Sequence, residues 1–127
     1  MSSNTHTIAI IEDDIAIVQM YRMKFEAEGY TVVTAGDGQA GLELVSKHDV
    51  DIVLLDLMMP NMNGDEMLVE LRKTDTGKQL PVIVLTNMGE NEAPSTISDD
   101  DMVKDFIVKA SMTPKDVAEK VADVLDA

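Results

Sequence analysis

Short apolar runs alternate with stretches of helical periodicity along the chain. Five runs predict strands, at 7–11, 30–35, 52–55, 82–85 and 105–108. Helical spacing of apolar residues predicts four clear helices: from Ile15 to Gly29, over 39–48, from Asn63 to before Gly77, and from Pro114 onward. Strands that alternate with helices in this way are typical of βα units, which build a parallel sheet.

The segment between Asn91 and Lys104 fits this alternation poorly. It holds Pro94, then Ser95–Ser98, then three consecutive aspartates. Serine and threonine compete for backbone hydrogen bonds, and acids at a helix C-terminus oppose its dipole. We therefore expect the fourth helix to be short or irregular.

Polar side chains follow four of the five predicted strands. Glu12 and Asp13 follow the first strand, Asp56 the third, Thr86 the fourth and Lys109 the fifth. In a parallel sheet these ends converge on one edge, where open α/β sheets place their sites. Acids, a hydroxyl and an ammonium at one edge suit a divalent metal and a phosphoryl group carried on a carboxylate.

The acids predict a site for a hard cation such as Mg²⁺, which takes oxygen ligands and keeps several waters. We expect Asp13 and Asp56 to be direct ligands and Glu12 to act through water. The backbone carbonyl of Met58 is expected to complete the site.

An aspartate also acts as a nucleophile toward phosphorus. The metal and the Lys109 ammonium would stabilise charge on the transferring phosphoryl oxygens, and Thr86 would hydrogen-bond one of them.

Chain length, cysteine content and net charge exclude several classes of protein. The 127 residues suffice for one domain, and the absence of cysteine excludes disulfides and thiolate sites. A net charge of -14 without a basic cluster argues against direct nucleic-acid binding. Apolar runs far shorter than the roughly 20 residues of a membrane span predict no membrane insertion. The polar start Met1–Thr7 has no secretory pattern, so we expect a cytoplasmic location.

One rival motif is present. Gly36–Gly41 matches the dinucleotide fingerprint G-x-G-x-x-G, after a predicted strand and before a helix. It follows the second strand rather than the first, however, and Asp37 would repel a pyrophosphate. A dinucleotide site would also leave Glu12, Thr86 and Lys109 without a role, so a tight turn is the favoured interpretation.

Four segments together resemble the receiver domain of two-component response regulators over essentially the whole chain: IIEDD at 10–14, DLMMPNMNG at 56–64, LT at 85–86 and FIVK at 106–109. The resemblance implies a single α/β domain over 1–127. Its fold would be a flavodoxin-like (βα)5 three-layer sandwich with a parallel five-stranded sheet in the order 2-1-3-4-5.

The resemblance also implies a role for each matched residue. Asp56 would be the phosphoacceptor, Thr86 the switch hydroxyl, Phe106 the switch aromatic and Lys109 the phosphate contact. Glu12 and Asp13, with Asp56, would hold Mg²⁺.

The implied function is signalling in a phosphorelay rather than enzyme catalysis. A histidine kinase or phosphotransfer protein would be the donor, a downstream protein the target, and the domain itself a monomer or weak dimer. The alternative is a degenerate receiver that binds partners without being phosphorylated.

Overall fold

A computed structural model describes residues 6–126, apart from the side chain of Glu90. Residues 1–5, which belong to the polar start of the chain, lie outside the described residues. The strands are β1 (Thr7–Ile11), β2 (Thr31–Ala35), β3 (Ile52–Leu55), β4 (Val82–Thr86) and β5 (Val103–Val108). The helices are α1 (Ile15–Ala27), α2 (Gly38–Lys47), α3 (Gly64–Leu71), α4 (Ser95–Ser98) and α5 (Pro114–Leu125).

The five strands form one parallel sheet in the order β2-β1-β3-β4-β5, as predicted. Side chains alternate between its faces and build two cores. One core lies under α1 and α5 and contains Ile8, Ile10 and Phe25; the other lies under α2 and α3 and contains Ala9, Ile11 and Met67. Strand β3 is buried at every position because helices cover both faces of the sheet. The predicted three-layer flavodoxin-like sandwich is confirmed.

Three strand boundaries differ from the prediction. Strand β2 begins at Thr31 rather than Tyr30, β4 ends at Thr86 rather than Leu85, and β5 begins at Val103 rather than Asp105. Between β4 and β5 the register shifts, so that Lys104 is the extra residue of a bulge. Lys104 and Asp105 add two charged residues to this strand, and an edge strand tolerates them because one side meets solvent.

Helix α1 forms where it was predicted and buries Tyr21 and Phe25. The ring centroids of these two residues are 6.0 Å apart, so the aromatic pair determines which face packs inward. Three other apolar residues of α1 are exposed: Ile15 at 72%, Met20 at 44% and Met23 at 71%. Gly29 ends the region with a φ of 97°, a left-handed conformation that favours glycine.

The fourth helix is irregular, as expected. A single 3-10 turn at Glu90–Glu92 precedes α4, which has only four residues and buries Ile97. Within residues 6–126, no helix is both long and apolar enough to cross a bilayer.

A part-buried ion pair anchors the far end of this segment. The guanidinium of Arg72 donates to both carboxylate oxygens of Asp100, at 2.8 and 3.1 Å. The same group donates to the carbonyls of Gly77 and Leu80, at 2.7 and 2.8 Å. Arg72 therefore links the end of α3 to the turn that follows α4.

Replacing Asp100 by asparagine should lower the free energy of unfolding by about 2 kcal/mol at neutral pH, since hydrogen bonds to charged groups are lost in a part-buried position. Burial acts to raise the pKa of Asp100, but the hydrogen bonds from Arg72 and from the Met102 N–H outweigh it, so this pKa lies below 3.8. The stabilisation is therefore present above pH 3.8 and lost as the pH falls below it.

Urea unfolding across this pH range measures the effect. The exposed neighbour Asp99→Asn is the matched control, expected within about 0.5 kcal/mol of the parent. Equal losses in both variants would contradict a specific contribution of the ion pair.

Candidate functional site

Glu12 and Asp56 lie side by side because their strands are neighbours. Glu12 follows β1 and Asp56 follows β3, and these strands pair in register up to Ile11 and Leu55. The Asp56 N–H donates to the carbonyl of Ile11 at 3.0 Å, which extends the pairing to the acid itself. Both side chains lie almost entirely beneath the surface, with Glu12 5% and Asp56 4% exposed.

Asp13 adds an exposed carboxylate to this pair. One oxygen from each of Glu12, Asp13 and Asp56 lies within 4.8 Å of the others. Gathering like charges in a poorly solvated place is unfavourable unless a cation balances them. The donor set is made entirely of hard oxygens, so it fits a divalent cation of the Mg²⁺ or Ca²⁺ type.

Lys109 provides a positive charge from the protein itself. Its Nζ lies 2.6 Å from Glu12 Oε1 and 3.3 Å from Asp56 Oδ2. The side chain follows β5 and is only 12% exposed, so the pair is weakly screened by solvent. The structure therefore brings Glu12, Asp13, Asp56 and Lys109 together, as the sequence predicted.

Burial and mutual contact shift the pKa values of Glu12 and Lys109. Desolvation raises the pKa of Glu12, and the hydrogen bond from Lys109 only partly opposes this. Burial alone would lower the pKa of Lys109, but the hydrogen bond to Glu12 and the charges of Asp56 and Glu12 outweigh it and raise this pKa. The ammonium is therefore retained at neutral pH, ready to meet added negative charge.

The backbone after Asp56 turns sharply around its carboxylate. The Met58 N–H donates to Asp56 Oδ1 at 3.1 Å, which leaves Oδ2 beside Lys109. Gly64 begins α3 directly against the Asp56 carbonyl, where a Cβ atom would overlap that oxygen. The glycine thus allows α3 to start next to the site. The use of the Met58 carbonyl as a ligand stays a prediction.

Thr86 and Phe106 lie on the neighbouring strands β4 and β5. Thr86 is fully buried, and its Oγ1 accepts a hydrogen bond from the Met88 N–H at 3.3 Å. Phe106 pairs with Val84 and is partly buried against the core under α2 and α3. Among residues 6–126, the hydroxyl of Thr86 makes no hydrogen bond to the acids or to Lys109, so its predicted role depends on movement.

The rival glycine motif has a structural explanation. The carboxylate of Asp37 accepts from the Ala40 N–H at 2.8 Å and caps α2, so the protein's own anion occupies the position a pyrophosphate would take. A second oxygen of Asp37 accepts from Asn61 Nδ2 at 2.9 Å. Sequence spacing gave no signal for this contact, since the residues lie 24 positions apart.

Comparison with known proteins adds family evidence to this geometry. The family model for the response regulator receiver domain matches residues 8–122. The uncharacterized transcriptional regulatory protein YkoG of Bacillus subtilis is 34% identical over 118 residues, which cover 92% of this chain and 48% of YkoG. The probable transcriptional regulator ycf27 of Cyanophora paradoxa is 30% identical, over 98% of this chain and 50% of its own length.

Solved structures match over nearly the whole chain. A CheY-like receiver domain protein from Methanospirillum hungatei gives a TM-score of 0.86 at 27% identity, covering 97% of this chain and 95% of that one. The chemotaxis response regulator CheY4 of Vibrio cholerae gives 0.85 at 26% identity, covering 95% and 99%.

The curated relatives are longer proteins. The chain spans about half the length of YkoG and ycf27, and a fifth of the regulator GlrR of Escherichia coli. The family model's match over residues 8–122 includes the acids, the hydroxyl and the lysine described above. The family match together with this sheet order and site shows that the chain belongs to the response regulator receiver domains.

Proposed function

We propose that this phosphoacceptor domain receives a phosphoryl group on Asp56, in a Mg²⁺-dependent transfer from a phosphohistidine of a kinase or phosphotransfer protein. The observation that carries the proposal is the placement of Asp56 between an acidic cluster and a buried ammonium. Its carboxylate is 4% exposed, shares a 4.8 Å cluster with Glu12 and Asp13, and lies 3.3 Å from Lys109. Charges that are held in place in this way stabilise the negative charge on a transferring phosphoryl group.

Four groups would hold the metal: the carboxylates of Asp13 and Asp56, Glu12 through water, and the Met58 carbonyl. When bound, Mg²⁺ offsets the carboxylate charges and the charge on the phosphoryl oxygens. The receiver TrrA of Thermotoga maritima supports this assignment, since it was solved in complex with Mg²⁺-BeF; it is 26% identical, has a TM-score of 0.81, and the match covers 94% of this chain and 98% of TrrA.

The transfer itself is a single displacement at phosphorus. One carboxylate oxygen of Asp56 forms a bond to phosphorus as the phosphorus–nitrogen bond of the donor breaks. The imidazole nitrogen leaves with the electron pair, and an acyl phosphate forms on Asp56. The Lys109 side chain is 12% exposed and its Nζ lies beside Asp56 Oδ2. After the transfer, the ammonium donates to a phosphoryl oxygen instead of to the carboxylates.

Thr86 and Phe106 would transmit the change. The hydroxyl of Thr86, which accepts from the Met88 N–H, moves and donates to a phosphoryl oxygen, and the half-buried Phe106 ring follows into the space that Thr86 leaves. This shifts a two-state population toward a partner-binding face. The downstream target is proposed to be a protein, the location cytoplasmic and the domain a monomer or weak dimer without direct nucleic-acid binding.

Replacing Thr86 by alanine should separate phosphorylation from switching. We expect the rate of phosphorylation to stay within about tenfold, because one neutral hydrogen bond is lost. The chemical-shift changes of Phe106 and its neighbours on phosphorylation should disappear. Thr86→Ser keeps the hydroxyl and should keep those changes; their loss in both variants, or in neither, would contradict the role of the hydroxyl.

Intact mass after incubation with phosphoramidate tests the proposal. We expect the gain of one phosphoryl group with Mg²⁺ present and none with excess chelator. No gain, with Mg²⁺ binding shown separately by calorimetry, would overturn phosphorylation and favour an interaction module that acts without it.

A further inference from the structure

The turn between β2 and α2 contacts the loop that follows Asp56. Asn61, in the middle of that loop, donates from Nδ2 to Asp37 Oδ2 at 2.9 Å. The next residue of each segment makes a second contact: the Gly38 N–H donates to the carbonyl of Met62 at 2.9 Å. The two contacts tie residues 61–62 to the turn at 37–38, and we call this pair of contacts the loop latch.

The latch depends on the closeness of Gly38 to the loop. A Cβ atom on Gly38 would lie 2.7 Å from the Met62 carbonyl oxygen and 2.8 Å from Met62 Cγ. Such approaches are shorter than real Cβ atoms make, so glycine is needed here. Gly36 in the same motif has nothing within 4 Å of a Cβ position. The second glycine of the motif, unlike the first, therefore serves a contact with the loop.

The backbone of the loop between Asp56 and Gly64 has features that a contact from outside the loop would stabilise. Asn61 has a φ of 64°, in the left-handed region that asparagine tolerates better than most residues. The loop also contains Met58, whose N–H holds Asp56 Oδ1 at 3.1 Å. Its far end is Gly64, which lies against the Asp56 carbonyl. The loop is thus fixed at both ends by the site and in the middle by the latch.

We propose that Asp37 and Gly38 are positioning residues for the phosphoacceptor site: through the loop latch they hold the backbone of Met58 in place beside Asp56. This inference rests on the proposed function, because it assigns the Met58 backbone a part in holding Mg²⁺. Loss of the latch should weaken Mg²⁺ binding even though neither residue belongs to the acidic cluster.

Gly38→Ala tests the inference, with Gly36→Ala as its matched control. The added methyl of Gly38→Ala displaces the Met62 carbonyl, and Mg²⁺ binding measured by calorimetry should weaken about two- to tenfold. Gly36→Ala adds the same methyl into open space, two residues away, and should leave the dissociation constant unchanged. Equal effects in the two variants would overturn the proposal, as would an unchanged Gly38→Ala.

Exchanging the residues at positions 37 and 61 tests whether the hydrogen bond of the latch, and not only the space around Gly38, matters for Mg²⁺ binding. Asn61→Asp places two carboxylates where a hydrogen bond was, and should weaken Mg²⁺ binding although an added negative charge alone would strengthen it. The double variant D37N/N61D restores a donor facing an acceptor and the original net charge, and should recover the parent affinity. Unchanged or tighter binding in Asn61→Asp, or no recovery in the double variant, would count against the latch.

A second readout separates this inference from the proposed function. Exchange of the Met58 amide hydrogen, measured without Mg²⁺, should speed up in Gly38→Ala but not in Gly36→Ala, and thermal unfolding confirms that each variant is folded. If the parent gains no phosphoryl group, the proposed function fails while the exchange rates still decide the latch. If the parent is phosphorylated and the Met58 exchange rate is the same in all variants, the latch alone is wrong.

Discussion

Replacing Asp56 by asparagine is expected to abolish the gain of a phosphoryl group from phosphoramidate. The amide has nearly the same shape as the carboxylate but lacks its nucleophilic charge, so no bond to phosphorus forms. Mg²⁺ binding should weaken as well, because one of three clustered carboxylates is lost. Intact mass and calorimetry measure the two effects on the same samples.

The exposed residue Asp49 provides the control for this change. Asp49→Asn removes the same charge just before β3, at the end of that strand opposite to Asp56, and should be phosphorylated like the parent. A phosphoryl group that remains on the Asp56→Asn variant would place the acceptor elsewhere and overturn the assignment of Asp56.

Replacing Lys109 by methionine should have opposite effects on two measurements. The rate of phosphorylation should fall about 10²-fold or more, since a preorganised charge that faces the phosphoryl oxygens is lost. Mg²⁺ should bind more tightly, because the ammonium that lies 2.6 Å from Glu12 and 3.3 Å from Asp56 no longer competes for the carboxylates. Methionine keeps much of the length and apolar packing of the lysine stem.

Lys104 allows a matched comparison for this variant, because it lies on the same strand and is exposed. Lys104→Met should leave both the rate and the affinity close to those of the parent. Weaker Mg²⁺ binding in Lys109→Met would mean that the lysine supports the acidic cluster rather than competing with the ion.

Much of the sheet and its site could be predicted because four of the five strands end at or just before a polar side chain of the site. The unbroken apolarity of Ile52–Leu55 indicated a central strand, and parallel pairing then forces the residues after β1, β3, β4 and β5 to one edge. Covalent order alone places Glu12, Asp56 and Lys109 together once the order of the strands is known. Their assigned roles remain predictions until the variants are measured.

What escaped prediction depends on contacts between distant residues. The spacing of apolar residues predicted α1 but not its inward face: Tyr21 and Phe25 pack on the core while Ile15 and Met23 remain exposed. Periodicity cannot choose between two apolar stripes on one helix. The early start of β5 was missed for a related reason, since a bulge adds a residue that alternation does not reveal.

Two polar contacts were also invisible in the sequence. Arg72 and Asp100 are 28 residues apart, and Asp37 and Asn61 are 24 apart. Nothing in local spacing joins such residues, because the pairing exists only after α3 and the loop before it have packed on the sheet. These contacts fix the loops rather than the fold, and loops carry the function.

The exposed thioethers of Met20, Met23 and Met58 have a consequence for handling this protein. Peroxide should convert them to sulfoxides, whereas the buried thioether of Met67 is protected. Oxygen addition at about five methionines contributes nearly the mass of one phosphoryl group, and the chain has ten methionines. An oxidised sample of this domain would therefore imitate phosphorylation in a mass spectrum, and only a mass gain that fails to form when chelator is present during the incubation would belong to Asp56.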